Sequence, residues 1–124
     1  CHSMPREALE NVRSKCGKRP EIVLGDRFGA SADTDFVDDI EAIFENAGFV
    51  VSRNAPFAGA YVTQHYGRPS RRQHAIQVEI DRSLYMDEAR IEPNDNFDEF
   101  RLRLRGVISR VAELGRPAQR LAAE

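Results

Sequence analysis

One helical stripe framed by two short apolar segments limits the folds open to this chain of 124 residues. Phe36, Val37, Ile40, Ile43, Phe44 and Ala47 recur at i, i+1, i+4, i+7, i+8 and i+11, a continuous apolar face at a period of about 3.6. Asp33, Asp35, Asp38 and Asp39 bring negative charge to its first turns, where the helix dipole favours it. Gly48 supplies a left-handed stop at the other end. Before the stripe, Glu21-Ile22-Val23-Leu24-Gly25 reads as a short buried strand; after it, Phe49-Val50-Val51-Ser52-Arg53 reads as another. Strand, short helix and strand in succession predict a parallel crossover, and so an α/β fold.

Residues 6–20 are polar and basic, punctuated by Pro5, Gly17 and Pro20, and read as a loop with a short helical turn. Gly25 to Ser31 forms a loop at the carboxyl end of the first strand, and Pro56 to Pro69 a long loop rich in Gly and Pro. Ala75 to Ile80 is the third expected strand. A second long helix is predicted over Asn94–Gly115, with Phe97, Phe100, Leu104, Val107, Ile108, Val111 and Leu114 as its stripe. Asn96 and Glu99 have capping-box spacing. Gly106 sits inside this helix at a cost of about 1 kcal/mol relative to alanine. Gly115 and Pro117 stop it, and the tail to Glu124 is expected to be a frayed extension. Three strands and two helices cover a parallel sheet poorly, so further strands are expected.

Composition excludes several classes of function. With 41% hydrophobic and 31% charged residues the chain is too apolar for disorder. A net charge of −2 gives no footprint for nucleic acid or an anionic membrane. Lys15 and Lys18 are the only lysines; the arginine bias suits carboxylate or phosphate forks, and a GC-rich genome produces it equally. Cys1 and Cys16 make no disulfide framework, so a reducing cytoplasm is the expected compartment. No apolar run approaches the roughly 20 residues of a membrane span, and no secretory h-region is present. Gly25 and Gly29 lack the lysine and further glycines of a P-loop, and the acidic run Asp33–Asp39 lacks calcium-loop spacing.

A few side chains could carry chemistry. His2, leaving a strand on Ser-Met-Pro, could present a ring nitrogen to a divalent metal. Cys1 could alternatively act as an N-terminal nucleophile with its own α-amine as base, though such sites precede β-rich sandwiches rather than helix–strand alternation. Strand alternation puts Gln77, Glu79 and Asp81 on one face and Ile76, Val78 and Ile80 on the other. In a central strand Glu79 must be paired, metal-bound or working as an acid or base; in an edge strand it would only face water. The Pro56–Pro69 loop gathers Tyr61, Thr63, His65, Tyr66 and Arg68, with arginine offering a fork for a carboxylate. Asp26 and Arg27 read as a structural pair shaping their loop, and Asp87 and Glu88 as caps at the strand exit.

Three segments taken together resemble the N-formylglutamate amidohydrolase family. They are His2-Ser3-Met4-Pro5, Leu24-Gly25-Asp26-Arg27-Phe28-Gly29, and Gly59 through Glu88, which contains His65-Tyr66-Gly67-Arg68-Pro69 and Gln77-Val78-Glu79-Ile80-Asp81-Arg82-Ser83-Leu84-Tyr85-Met86-Asp87-Glu88. The resemblance spans residues 1–124 as a single C-terminal portion of the family's domain. The chain opens on Cys1 with no initiator Met, so the N-terminal half is expected to be absent from it. The resemblance implies a partial phosphorylase/hydrolase-like three-layer α/β/α sheet, its strands mostly parallel or mixed, with flanking helices. It implies zinc-dependent hydrolysis of N-formyl-L-glutamate to formate and L-glutamate in histidine degradation. His2 would then be a metal ligand, Glu79 the carboxylate that activates the attacking water, and His65 and Arg68 substrate neighbours. The remaining metal ligands would lie in a histidine-containing segment nearer the family's N-terminus. The expected partner is a small N-acyl amino acid, with no nucleic acid and no membrane, and homo-oligomerisation is left open. By itself the chain is expected to be inactive. The alternative is a truncated, non-catalytic domain that binds a small acid or an interaction partner.

Overall fold

The computed structural model describes residues 1–116. Strand β1 (His2–Met4) leads through a 3-10 turn (Arg6–Leu9) to β2 (Ile22–Gly25), helix α1 (Thr34–Asn46) and β3 (Val51–Arg53). Helix α2 (Tyr61–Tyr66) and a second 3-10 turn (Pro69–Arg71) precede β4 (Gln77–Asp81), followed by a third turn (Arg82–Leu84). A small β5–β6 ribbon (Met86–Asp87, Glu92–Pro93) and the long helix α3 (Phe97–Leu114) complete the described chain. The main sheet has the order β1-β4-β2-β3. Pairs β2–β3 and β1–β4 are parallel, whereas β2 and β4 run antiparallel. The sheet is therefore mixed, and the α/β class with a crossover through α1 is the one that the strand–helix–strand pattern predicts.

Apolar periodicity explains how the sheet is covered. Ile40 and Phe44 of α1 and Phe100 and Val107 of α3 pack with Ile22, Leu24, Phe49, Val51 and Ile80 into one core. Both long helices thus cover the face to which Ile80 points. The opposite face holds a smaller cluster of Met4, Leu9 and Val23, with Leu9 supplied by the first 3-10 turn. Gly48 ends α1 at φ +89, as its position predicts. The Arg103 guanidinium of α3 reaches back to the Ala47 carbonyl (3.2 and 2.9 Å) and lies 4.1 Å from the Phe49 ring centroid. One side chain therefore satisfies a terminal carbonyl and joins the two helices.

Several expectations need correction. The Pro56–Pro69 segment is not all loop: it contains α2, of whose residues only Thr63 is buried, so no apolar period announced it. Strands β1, β5 and β6, three or two residues long, are also too short to show a period. Helix α3 starts at Phe97 rather than Asn94, and no capping box forms, because the Asn96 amide donates instead to the Leu84 carbonyl (2.7 Å). Asp26 does not pair with Arg27; it is buried against Asn54, whose amide donates to it at 2.6 Å. Asp87 and Glu88 behave as expected, accepting backbone N–H bonds from Ala89, Arg90 and Arg6. The tail beyond Arg116, including the stop at Pro117, lies outside the described residues.

Candidate active site

Strand β4 lies between β1 and β2, so it is a central strand and not a wet edge. Along it, Ile80 faces the helices and Glu79 the other way, beside Val23 and His2, its register partners on β2 and β1. Glu79 is 7% exposed. A carboxylate at that depth is costly unless something compensates it. Its Oε1 accepts one hydrogen bond, from the Gln77 amide at 2.8 Å. The His2 ring places Nδ1 3.9 Å from the same oxygen, too long for a hydrogen bond. No arginine or lysine forms an ion pair with Glu79 among the described residues, in contrast to Glu41, which pairs with both Lys15 and Arg53.

The surrounding backbone is built for close approach. Gly25, at the carboxyl end of β2, is in register with Gln77, and the Ala58–Gly59 backbone lies directly over it. A Cβ at Gly25 would come within 2.6 Å of Ala58 C and Gly59 N, so only glycine fits without a shift. One residue on, the Ala60 N–H donates to the Gln77 amide oxygen at 3.1 Å. Next to Gly25, Asp26 accepts from the Asn54 side-chain amide, and the Asp26 N–H donates to Asn54 Oδ1 at 3.1 Å. The ends of β2 and β3 and the start of β4 thus converge at one end of the sheet.

His65 and Arg68 follow from the same loop. His65 lies on α2, stacked on Tyr61 with ring centroids 5.2 Å apart, and Arg68 comes just after the helix. Tyr61, Gln64, His65 and Arg68 line one shallow pocket of about 290 Å³, which includes neither His2 nor Glu79. The structure therefore brings His2 and Glu79 together and keeps His65 and Arg68 as a second pair. A larger apolar groove of about 620 Å³ runs between β1 and α3; His2 reaches its rim, but Glu79 points to the opposite face and is not part of it.

Metal-ligand chemistry is present in part. An imidazole and a buried carboxylate without a cation are the donor types that a divalent metal takes, and a catalytic zinc site uses about three protein ligands. Among the described residues no group of three or more His, Cys, Asp or Glu side chains is placed to hold a metal. His2 thus offers one imidazole donor, with the Glu79 carboxylate 3.9 Å away. Gln77, which the alternation of β4 placed beside Glu79, had no role in the sequence reading; its position two residues before a buried glutamate was the available signal.

A sequence model described as N-formylglutamate amidohydrolase matches residues 1–86. N-formylglutamate deformylase of Pseudomonas aeruginosa is 38% identical over 73 residues, 58% of this chain and 27% of that protein. The protein of the same name from Pseudomonas putida is 37% identical over 73 residues, with the same coverage. The crystal structure of N-formylglutamate amidohydrolase from Ralstonia eutropha JMP134 superposes with a TM-score of 0.73 at 32% identity, covering 90% of this chain and 39% of that one. The chain spans 27% of the length of the curated relatives it matches.

Proposed function

This chain belongs to the N-formylglutamate amidohydrolase family, and on that footing we propose that it carries the carboxylate side of a site that hydrolyses N-formyl-L-glutamate to formate and L-glutamate. The observation that supports the reading is Glu79, buried in a central strand with no arginine or lysine partner among the described residues. Water attacks the formyl carbon and gives its proton to Glu79; the C–N bond then breaks, and Glu79 returns the proton to the leaving amine. His2 is the residue of this chain proposed to hold zinc, with further ligands from the family segment nearer the N-terminus. A zinc bound there would supply Lewis-acid polarisation of the formyl carbonyl and an activated water. Arg68 offers its guanidinium fork to a substrate carboxylate, with His65 beside it in the same pocket. The proposal extends to the rest of the reading: a phosphorylase/hydrolase-like three-layer sheet in the complete domain, a role in histidine degradation, and a cytoplasmic setting. No helix among the described residues is long and apolar enough to cross a membrane.

The isolated chain is proposed to be inactive, since its described residues supply only one proposed ligand, His2, to a centre that needs about three protein ligands. Formate release from N-formyl-L-glutamate, with and without added zinc, tests this on the chain alone and on a version extended N-terminally. Activity confined to the extended, zinc-loaded protein is the expected result. Turnover by the short chain alone would refute the inactive-fragment reading, and silence from both with metal bound would refute the substrate. A second reading, a non-catalytic small-acid binder, draws on the separation of the His65–Arg68 pocket from Glu79. Binding of L-glutamate by the short chain, abolished by Arg68→Ala, would favour it.

A further inference from the structure

We propose that Gln77 is the positioning residue of Glu79, clamping one carboxylate oxygen so that the other is the one that handles the proton. The inference rests on the proposed role of Glu79 and adds a residue and an atom to it. Gln77 makes two hydrogen bonds of opposite sense: its Oε1 accepts from the Ala60 N–H at 3.1 Å, and its Nε2 donates to Glu79 Oε1 at 2.8 Å. A backbone N–H can only donate, so the amide oxygen must face Ala60 and the NH2 group must face Glu79. Chemistry thus fixes the amide orientation.

Two consequences follow. Because Nε2 can only donate, Glu79 Oε1 is held as an acceptor, and the hydrogen bond it accepts makes it the less basic of the two oxygens. Oε2 accepts no hydrogen bond from the described residues, so it is the oxygen left to take the proton from water and return it to the amine. The clamp is also tied to the backbone that covers Gly25: Ala60 follows Ala58 and Gly59, and the Ala58 carbonyl accepts from the Arg27 N–H at 2.8 Å. Gln77 therefore links the loop that leads into α2 to the carboxylate. Losing the partner that orients a metal ligand typically costs about 10–100-fold in activity, and losing the partner that orients the proton acceptor Glu79 should cost a comparable factor.

Two substitutions separate positioning from mere anchoring of the loop. Gln77→Glu keeps an acceptor for the Ala60 N–H but has no amide donor for Glu79; Gln77→Leu removes both. Steady-state kinetics on N-formyl-L-glutamate in the full-length, metal-loaded protein should show kcat down about 10–100-fold in both variants, with KM within about threefold of the unmodified protein. Gln77→Glu sets a second carboxylate beside the buried Glu79, so its melting temperature should fall, and a cooperative transition above the assay temperature shows that the fold survives. Should Gln77→Leu melt early, Gln77→Glu alone still decides. If Gln77→Glu keeps full kcat, Gln77 only anchors the loop and the inference is overturned. Glu79→Gln, run in parallel, tells the two failures apart: loss of activity there with a fully active Gln77→Glu overturns only the clamp, while a fully active Glu79→Gln overturns the base assignment and the clamp with it.

Discussion

His2 and Glu79 face each other across the parallel strands β1 and β4, with Nδ1 3.9 Å from Oε1. The imidazole is 68% exposed and the carboxylate side chain 9%, so the pair runs from the surface into the sheet. Register makes the pairing. A slip of one residue in β1 would turn His2 toward the α3 side and put Ser3 opposite Glu79. The three residues of β1 are thus what sets an imidazole beside a buried acid.

Gly25→Ala tests the close packing at this edge. The added Cβ meets Ala58 and Gly59 backbone atoms at 2.6 Å, and backbone cannot rotate aside. The loop must lift, and with it the Ala60 N–H that holds Gln77. We expect a loss of about 1–3 kcal/mol of stability, typical of overpacking, read by urea denaturation. An unchanged midpoint would mean that the loop over Gly25 is looser than described.

Glu41→Gln tests the ion-pair cluster behind the sheet. Glu41 is 4% exposed on α1 and pairs with Lys15 at 2.9 Å and with Arg53 of β3, which also holds Asp38. Burial alone would lower the Arg53 pKa, but the hydrogen bond to Asp38 and the charge of Glu41 outweigh it and raise the group above its ordinary value. A raised pKa means that the stabilisation is fully present below arginine's ordinary range and fades only at extreme alkaline pH. Neutralising Glu41 should therefore cost about 3 kcal/mol at neutral pH, the low end for breaking a buried pair, because Lys15 remains in water. A denaturation midpoint equal to that of the unmodified protein would contradict this.

Gly106→Ala should do the opposite. Gly106 sits within α3, and a Cβ there meets nothing within 4 Å. Alanine removes unfolded-state freedom and suits a helix interior, so stability should rise by about 0.5–1 kcal/mol. Thermal melting checks it; a lower midpoint would reveal a contact on that face.

The sequence was most legible where periods were long. The stripe from Phe36 to Ala47 and that from Phe97 to Leu114 located α1 and α3, since each buries enough side chains to imprint a spacing. Helix α2 left no such imprint, because Thr63 is its only buried residue. Glu79 could be picked out by its place among apolar neighbours, but only the position of β4 between β1 and β2 decides that it is buried rather than wet. The pairing of His2 with it needed a strand too short to announce itself. The clamp by Gln77 depends on Ala60, seventeen residues away, and no local pattern encodes that contact.

Glu79→Gln in the full-length protein tests the central assignment most directly, with zinc content and formate release measured on the same sample. The substitution keeps the shape and removes the proton acceptor. We expect metal content to stay within about twofold while kcat falls about 10²–10⁴-fold, the usual contribution of a general base. Turnover equal to that of the unmodified protein, with metal retained, would remove Glu79 from the reaction.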